Sequence, residues 1–221
     1  MEFNAAMAQL LLEGTRDTLL MVFSSTLMGY VIGLPLGVLL TVSDSGGIAP
    51  RPALYKVLDL LVNVLRSIPF IILIILLIPL TRLLVGKSYG TIGTIPPLTF
   101  AAAPFIARLV ESSLKEVDHG VIDAVQSMGA SKWHIISKVL LGEARTSLLV
   151  GVTISLGTIL GYSAMAGVVG GGGLGDIAIR YGSYRWETGT MLITVAILVV
   201  LMQLLQGIGT LLSKKTDRRR A

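Results

Sequence analysis

Apolar residues run through this chain in long stretches, unlike the alternating or one-sided patterns of soluble strands and helices. A helix needs roughly 20 such residues to cross ~30 Å of hydrocarbon. Five stretches qualify: 18–42, some part of 57–85, 95–114, 148–169 and 191–212. The third is the weakest, interrupted by Pro96, Pro97 and Pro104. The pattern predicts an all-α integral membrane protein with five transmembrane helices in a single domain over 1–221. An odd number of spans puts the two termini on opposite sides. Pro35, close to Gly33, predicts a kink in the first span.

Between the third and fourth spans the pattern changes. Val121, Ala124, Val125 and Met128 form one apolar stripe at helical spacing, and Gly129 is suited to end that helix. Ser131 can cap a second helix, in which Trp133, Ile136, Val139 and Leu140 make a second stripe. The prediction is two short amphipathic helices in a loop over about 116–145, neither long enough to span. Their apolar faces can pack on the chain's own spans or enter a cleft on a soluble partner.

Composition supports the membrane reading. Of 221 residues, 53% are hydrophobic and 14% charged, against about 25% charged in soluble domains. Mean hydropathy is +0.80. Cysteine is absent, which removes disulfides and thiolate metal sites. The opening MEFNAAMAQLLLEG has no basic region and no small-residue cleavage site, so it reads as mature sequence.

Charge placement then orients the spans. One set of connections carries Arg51, Lys56, Lys115, Lys132, Lys138, Arg145, Lys214, Lys215, Arg218, Arg219 and Arg220; the other carries only Arg16, Arg82, Lys87, Arg180 and Arg185. The richer side is expected in the cytoplasm. The N-terminus is then external and the C-terminal KKTDRRR internal, where it can anchor the last helix at anionic membrane lipid.

Small residues recur at spacing four, at Gly29, Gly33 and Gly37 and again at Gly157 and Gly161, and ordinary packing between spans accounts for them. Asp59, Asn63 and Arg66 share one helix face, as do Arg108, Glu111 and Lys115. Both sets fall near the inner ends of their spans. Their simplest reading is an ion-pair cluster joining spans two and three; relaying motion from the cytoplasmic loop is the alternative. Two stretches imitate nucleotide sites. Gly170, Gly172 and Gly175 fit G-x-G-x-x-G but follow a membrane span rather than a strand, and Gly86-Lys87-Ser88 lacks the first glycine of a P-loop. His119 and His134 read as surface residues without metal-ligand spacing.

The polar insert D-A-V-Q-S-M-G-A-S-K-W-H-I-I-S-K-V-L-L-G-E-A, 123–144, resembles the EAA loop of bacterial ABC-importer permeases of the binding-protein-dependent type. Asp123 replaces the pattern's Glu and Val125 its second Ala. Ala124 and Gly129 match, and Gly142 stands where the pattern has Pro. R-S-I-P-F-I-I-L-I at 66–74, P-L-T-F-A-A-A-P-F-I-A-R-L-V-E at 97–111 and G-Y-S-A-M-A-G-V-V-G-G-G-G-L-G at 161–175 are similar to the methionine-uptake permeases, so the resemblance covers most of the chain.

That resemblance implies a transport subunit of the bacterial inner membrane with no ATPase site of its own. It implies a homodimer of this chain, two cytoplasmic ATPase subunits that hold ATP and Mg²⁺, and an external substrate-binding lipoprotein. Nucleic acid is not among the expected partners. Asp123, Ala124, Met128, Gly129, Ala130 and Ser131 are the expected coupling residues. The resemblance, with Gly161, Ser163, Ala164 and Gly167 as small residues of a dimer seam, makes Tyr162, Ser163 and Met165 an expected gate. Other readings stay open: a permease for another small amino acid or osmolyte, a membrane scaffold, or a self-contained secondary transporter. The last would need ionisable residues near the midplane, and here they gather at the inner ends.

Overall fold

The computed structural model describes residues 5–216. Helix α1 (Ala5–Ser43) leads into α2 (Pro52–Ser67), α3 (Phe70–Leu76), α4 (Ile78–Val85) and α5 (Gly90–Lys115). The loop follows: α6 (His119–Ser127), α7 (Lys132–His134), a π-helical stretch Ile135–Leu140 and α8 (Leu141–Glu143). The chain ends with α9 (Arg145–Ala166), the short α10 (Gly173–Ile177), a π-helical stretch Ala178–Tyr184 and α11 (Thr188–Thr216). Among the described residues four helices, α1, α5, α9 and α11, are long and apolar enough to cross a membrane.

The second predicted span takes a different form. Instead of one helix within 57–85, the chain folds as α2 and α3, bent by 100° to each other. Pro69 is the cause: it has no N–H to donate and pushes Ile68 out of the helical region, to φ −78°, ψ 122°. Counting the bent pair as one span restores the total of five. The first span also differs, since α1 begins at Ala5. Its 39 residues reach ~58 Å at 1.5 Å per residue, nearly twice the hydrocarbon thickness, so the helix outruns its apolar segment.

Helices α1 and α5 make the central contact. Gly29, Gly33 and Gly37 form a groove on α1 that receives Ala102, Ala103, Ile106, Ala107 and Val110 of α5. A Cβ on Gly33 would stand 2.6 Å from the Ala103 carbonyl oxygen, and one on Gly37 2.6 Å from that of Ala107. The spacing-four glycines therefore serve packing within one chain, as does Gly157 against Met202. The hydroxyls of Ser25 and Thr99 both donate to the Ile95 carbonyl, the first of them tying α1 to α5.

At the opposite end from the loop, the glycine run 170–173 forms a tight return. Gly170, Gly172 and Gly173 all have positive φ. Threonines fasten this return to the bundle. Thr94 donates to the Gly171 carbonyl at 3.0 Å, Thr18 Oγ1 accepts from the Leu174 N–H at 2.9 Å, and Thr91 donates to Asp17 at 2.8 Å. No strand precedes the glycines, so the G-x-G-x-x-G spacing has a packing role here.

Candidate functional site

The loop between α5 and α9 is a helical hairpin. Asp118 starts α6 by accepting from the Gly120 N–H at 2.6 Å. Gly129 ends it with φ +80°, where its N–H bonds the Gln126 carbonyl and that of Ala130 the Val125 carbonyl. Ser131 then caps α7, accepting from the His134 N–H at 3.2 Å. Both cap positions expected from the sequence thus have the expected chemistry.

The buried faces are not the expected stripes. Ile122, Ile135 and Leu140 sink into the main core, with Val125, Ala130, Ile136 and Val139 beside them. Val121, Ala124, Met128 and Trp133 are exposed, Met128 at 77% and Trp133 at 75%. The second stripe holds at Ile136, Val139 and Leu140 and fails at Trp133, since the π-helical turn after Lys132–His134 brings Ile135 inward as well. The first was drawn one residue off, through Val121 instead of Ile122. The hairpin consequently has two apolar sides, one committed to the bundle and one facing outward; Asp123 is exposed too, and its carboxylate has no partner among the described residues.

Just above the hairpin, the charges of α2 and α5 meet. Arg108 pairs with Asp59 and, at 2.6 Å, with Glu111, and donates to Asn63 at 2.8 Å. Asn63 donates back to Asp59 at 3.2 Å. Glu111, only 4% exposed, is shared further with Lys115 at 2.9 Å and the Tyr55 hydroxyl at 3.3 Å. Lys115 also pairs with Asp44 at 2.7 Å, and its hydrogen bond holds the Asp44 carboxyl below the usual carboxylate range. The network ties three segments together: the α1–α2 connection, α2 and α5. Arg66, expected in it, is exposed and stands outside. Asp44 was not foreseen, because it is placed by the turn of 44–51, which no periodicity predicts; Tyr55, one turn before Asp59 on α2, could have been found from the helix spacing.

At the far end of α9, Tyr162 stacks on Phe70 with ring centroids 4.7 Å apart and planes 3° from parallel. The bend at Pro69 delivers Phe70 to that position. Ser163 is buried and donates to the Leu160 carbonyl at 2.8 Å. Met165 is 48% exposed. The four small residues expected at a dimer seam divide. Ser163, Ala164 and Gly167 are spent inside the chain, the last two against Gly175, and only Gly161 is open, with no atom within 4 Å of its Cβ position.

Comparison with known proteins places this arrangement. The profile of the binding-protein-dependent transport system inner membrane component matches residues 33–218. The chain belongs to this family. The permease is 48% identical over 218 residues to a probable D-methionine transport system permease of Vibrio cholerae, covering 99% of this chain and 97% of the relative. It is 50% identical over 161 residues to the D-methionine transport system permease of Escherichia coli K12, covering 73% and 74%. The permease superposes on a chain of the inward-facing MetNI methionine ABC transporter with TM-score 0.96 at 45% identity, covering 98% and 100%. An amino acid ABC transporter solved with histidines shares the fold, with TM-score 0.78, 19% identity and coverage of 97% and 100%. The chain is thus an inner-membrane, multi-pass permease.

Proposed function

We propose that this chain is the membrane subunit of a methionine importer, working as a homodimer with a cytoplasmic ATPase that supplies ATP and Mg²⁺ chemistry, and with an external lipoprotein that delivers the solute. The observation that carries this reading is the hairpin's second apolar side. Val121, Met128 and Trp133 stay exposed on the hairpin, as does Asp123, whose carboxylate has no partner among the described residues. Exposed apolar residues of that size, beside the helix of a free carboxylate, fit a docking partner. Likeness along the whole chain to methionine permeases supports the solute class.

In this reading the hairpin is the lever. Approach of two ATPases draws the two hairpins together. The inner-end ion network keeps α2 and α5 moving as one body, and the outer ends of α9, with Tyr162, Ser163 and Met165, open or close the route. The charge asymmetry supports an external N-terminus and a cytoplasmic hairpin.

Two measurements test the reading together. Expressed beside its ATPase in a host lacking methionine uptake, the chain should restore uptake of labelled methionine and purify with the ATPase in stoichiometric amount. In intact cells, an impermeant thiol reagent should label Tyr89→Cys and spare Ser131→Cys. A chain that purifies alone and restores no uptake would remove the proposal, and the opposite labelling would invert the topology beneath it.

A further inference from the structure

Polar side chains within the spans are mostly satisfied inside their own helices. Thr153, Thr158, Ser155 and Thr194 each donate to a carbonyl four residues back. Gln203 and Gln206 of α11 do not follow this rule. Both are exposed, and neither amide has a hydrogen-bond partner among the described residues. Both also sit deep. Helix α11 runs Thr188–Thr216, so Gln203 lies ~1.5 Å and Gln206 ~6 Å past its midpoint at 1.5 Å per residue. An amide carries two donors and an acceptor, and hydrocarbon satisfies none of them.

Part of the exposed surface of α11 is wholly apolar. Val200, Leu204, Ile208 and Leu211 run along it at spacings of four, four and three, each more than half exposed. Gln206 lies off this line, turned toward α9, and Gln203 lies between the two, one turn from the exposed Val199. A Cβ on Gly157 would stand 3.6 Å from Gln206 Nε2, so that amide rests on α9. There it borders an exposed line on α9 formed by Ile154, Gly161 and Met165.

We propose that Gln203 and Gln206 form a wet wall of the solute route, continuous along α9 with Met165 at its outer end. Their amides exchange hydrogen bonds between water and the charged ends of a small zwitterionic amino acid as it passes. This rests on the transport reading above and adds the place in the fold where the solute meets polar groups at mid-membrane.

The cysteine-free chain allows a direct test in inverted membrane vesicles containing the ATPase. Gln203→Cys and Gln206→Cys should react with a charged methanethiosulfonate at least about tenfold faster than Leu204→Cys and Ile208→Cys, since a thiol ionises in water and not in hydrocarbon. Excess methionine should slow the reaction at 203 and 206 alone. A double Gln203→Met, Gln206→Met variant should keep its membrane level and ATP hydrolysis and lose methionine uptake, and Asn at both positions should restore part of it. Equal reactivity on the two faces, no reaction at 203 and 206 in any nucleotide state, or full uptake by the double Met variant would overturn the proposal. The labelling contrast needs no knowledge of the solute. A wild type that imports no methionine therefore counts against the transport reading, while the reactivity pattern still decides whether the face is wet.

Discussion

Gly129→Val leaves the permease in the membrane at near-normal level and abolishes uptake, whereas Gly129→Asn keeps most of it. The position is roomy, with no atom within 4 Å of the Cβ site, so crowding is not the reason. The reason is φ +80°. A β-branched residue there costs about 1–2 kcal/mol, and asparagine far less. Valine escapes by leaving the left-handed region, which breaks the bonds from Gly129 and Ala130 that close α6 and swings α7 away. None of this touches a span, so insertion survives. Asp123→Lys should have the same effect on uptake by a different route. Its carboxylate has no partner among the described residues, so the fold tolerates the change, while a reversed charge at a docking surface disfavours association. That variant should purify without the ATPase. Uptake of labelled methionine, immunoblots of membranes and ATPase recovery check the three statements. Normal uptake by both variants would mean the hairpin is not the lever.

Gly37→Leu, and equally Gly33→Leu, should remove the folded permease from the membrane altogether. The first new atom of either side chain lands 2.6 Å from a carbonyl oxygen of α5. A backbone oxygen cannot rotate away as a side chain can, so α1 and α5 must separate along their shared length. Overpacking a core with room to adjust costs about 1–3 kcal/mol. This site has no such room, and the loss approaches the whole stability of a domain, about 5–15 kcal/mol. Gly46→Ala is the matched control, since nothing lies within 4 Å of its Cβ position. Membrane level and size-exclusion profiles in mild detergent decide the matter. A Gly37→Leu protein that accumulates and elutes like its parent would show that the α1–α5 groove is dispensable.

Much of this structure could be read from the chain because membrane burial writes long, simple patterns. The spans, the charge asymmetry, Gly129 as a helix stop and Ser131 as a cap all follow from local chemistry. What was missed depends on geometry set at a distance. Pro69 turns what reads as one apolar run into two helices at 100°, and that bend alone makes Phe70 a neighbour of Tyr162. Ile122 and Ile135 were passed over because an amphipathic pattern shows that a face exists and leaves open which of two apolar sides the bundle will claim. The π-helical turn after His134 widened the inward face to include Ile135 and left Trp133 outside. Asp44 joined the ion network through a connection with no periodicity, whereas Tyr55 shares the helix face of Asp59 and Asn63 and was simply overlooked. Gly161, Ser163, Ala164 and Gly167 looked alike in sequence, yet three were spent inside the chain, because small residues serve a return loop as well as a seam.

The ion pair between α2 and α5 also bears on the order in which the protein is made. Asp59 leaves the ribosome 49 residues before Arg108, the residue that neutralises it. At about 5–20 residues per second, that gap lasts several seconds. During it, Asp59 and Asn63 sit on a short helix that does not by itself qualify as a span. Stable insertion of 52–67 must therefore wait for 90–115, making the second span of the chain a dependent of the third. In a nascent chain stopped before Arg108, a single cysteine placed at Leu61 should stay open to a water-soluble thiol reagent, and in one stopped well beyond Lys115 it should be protected.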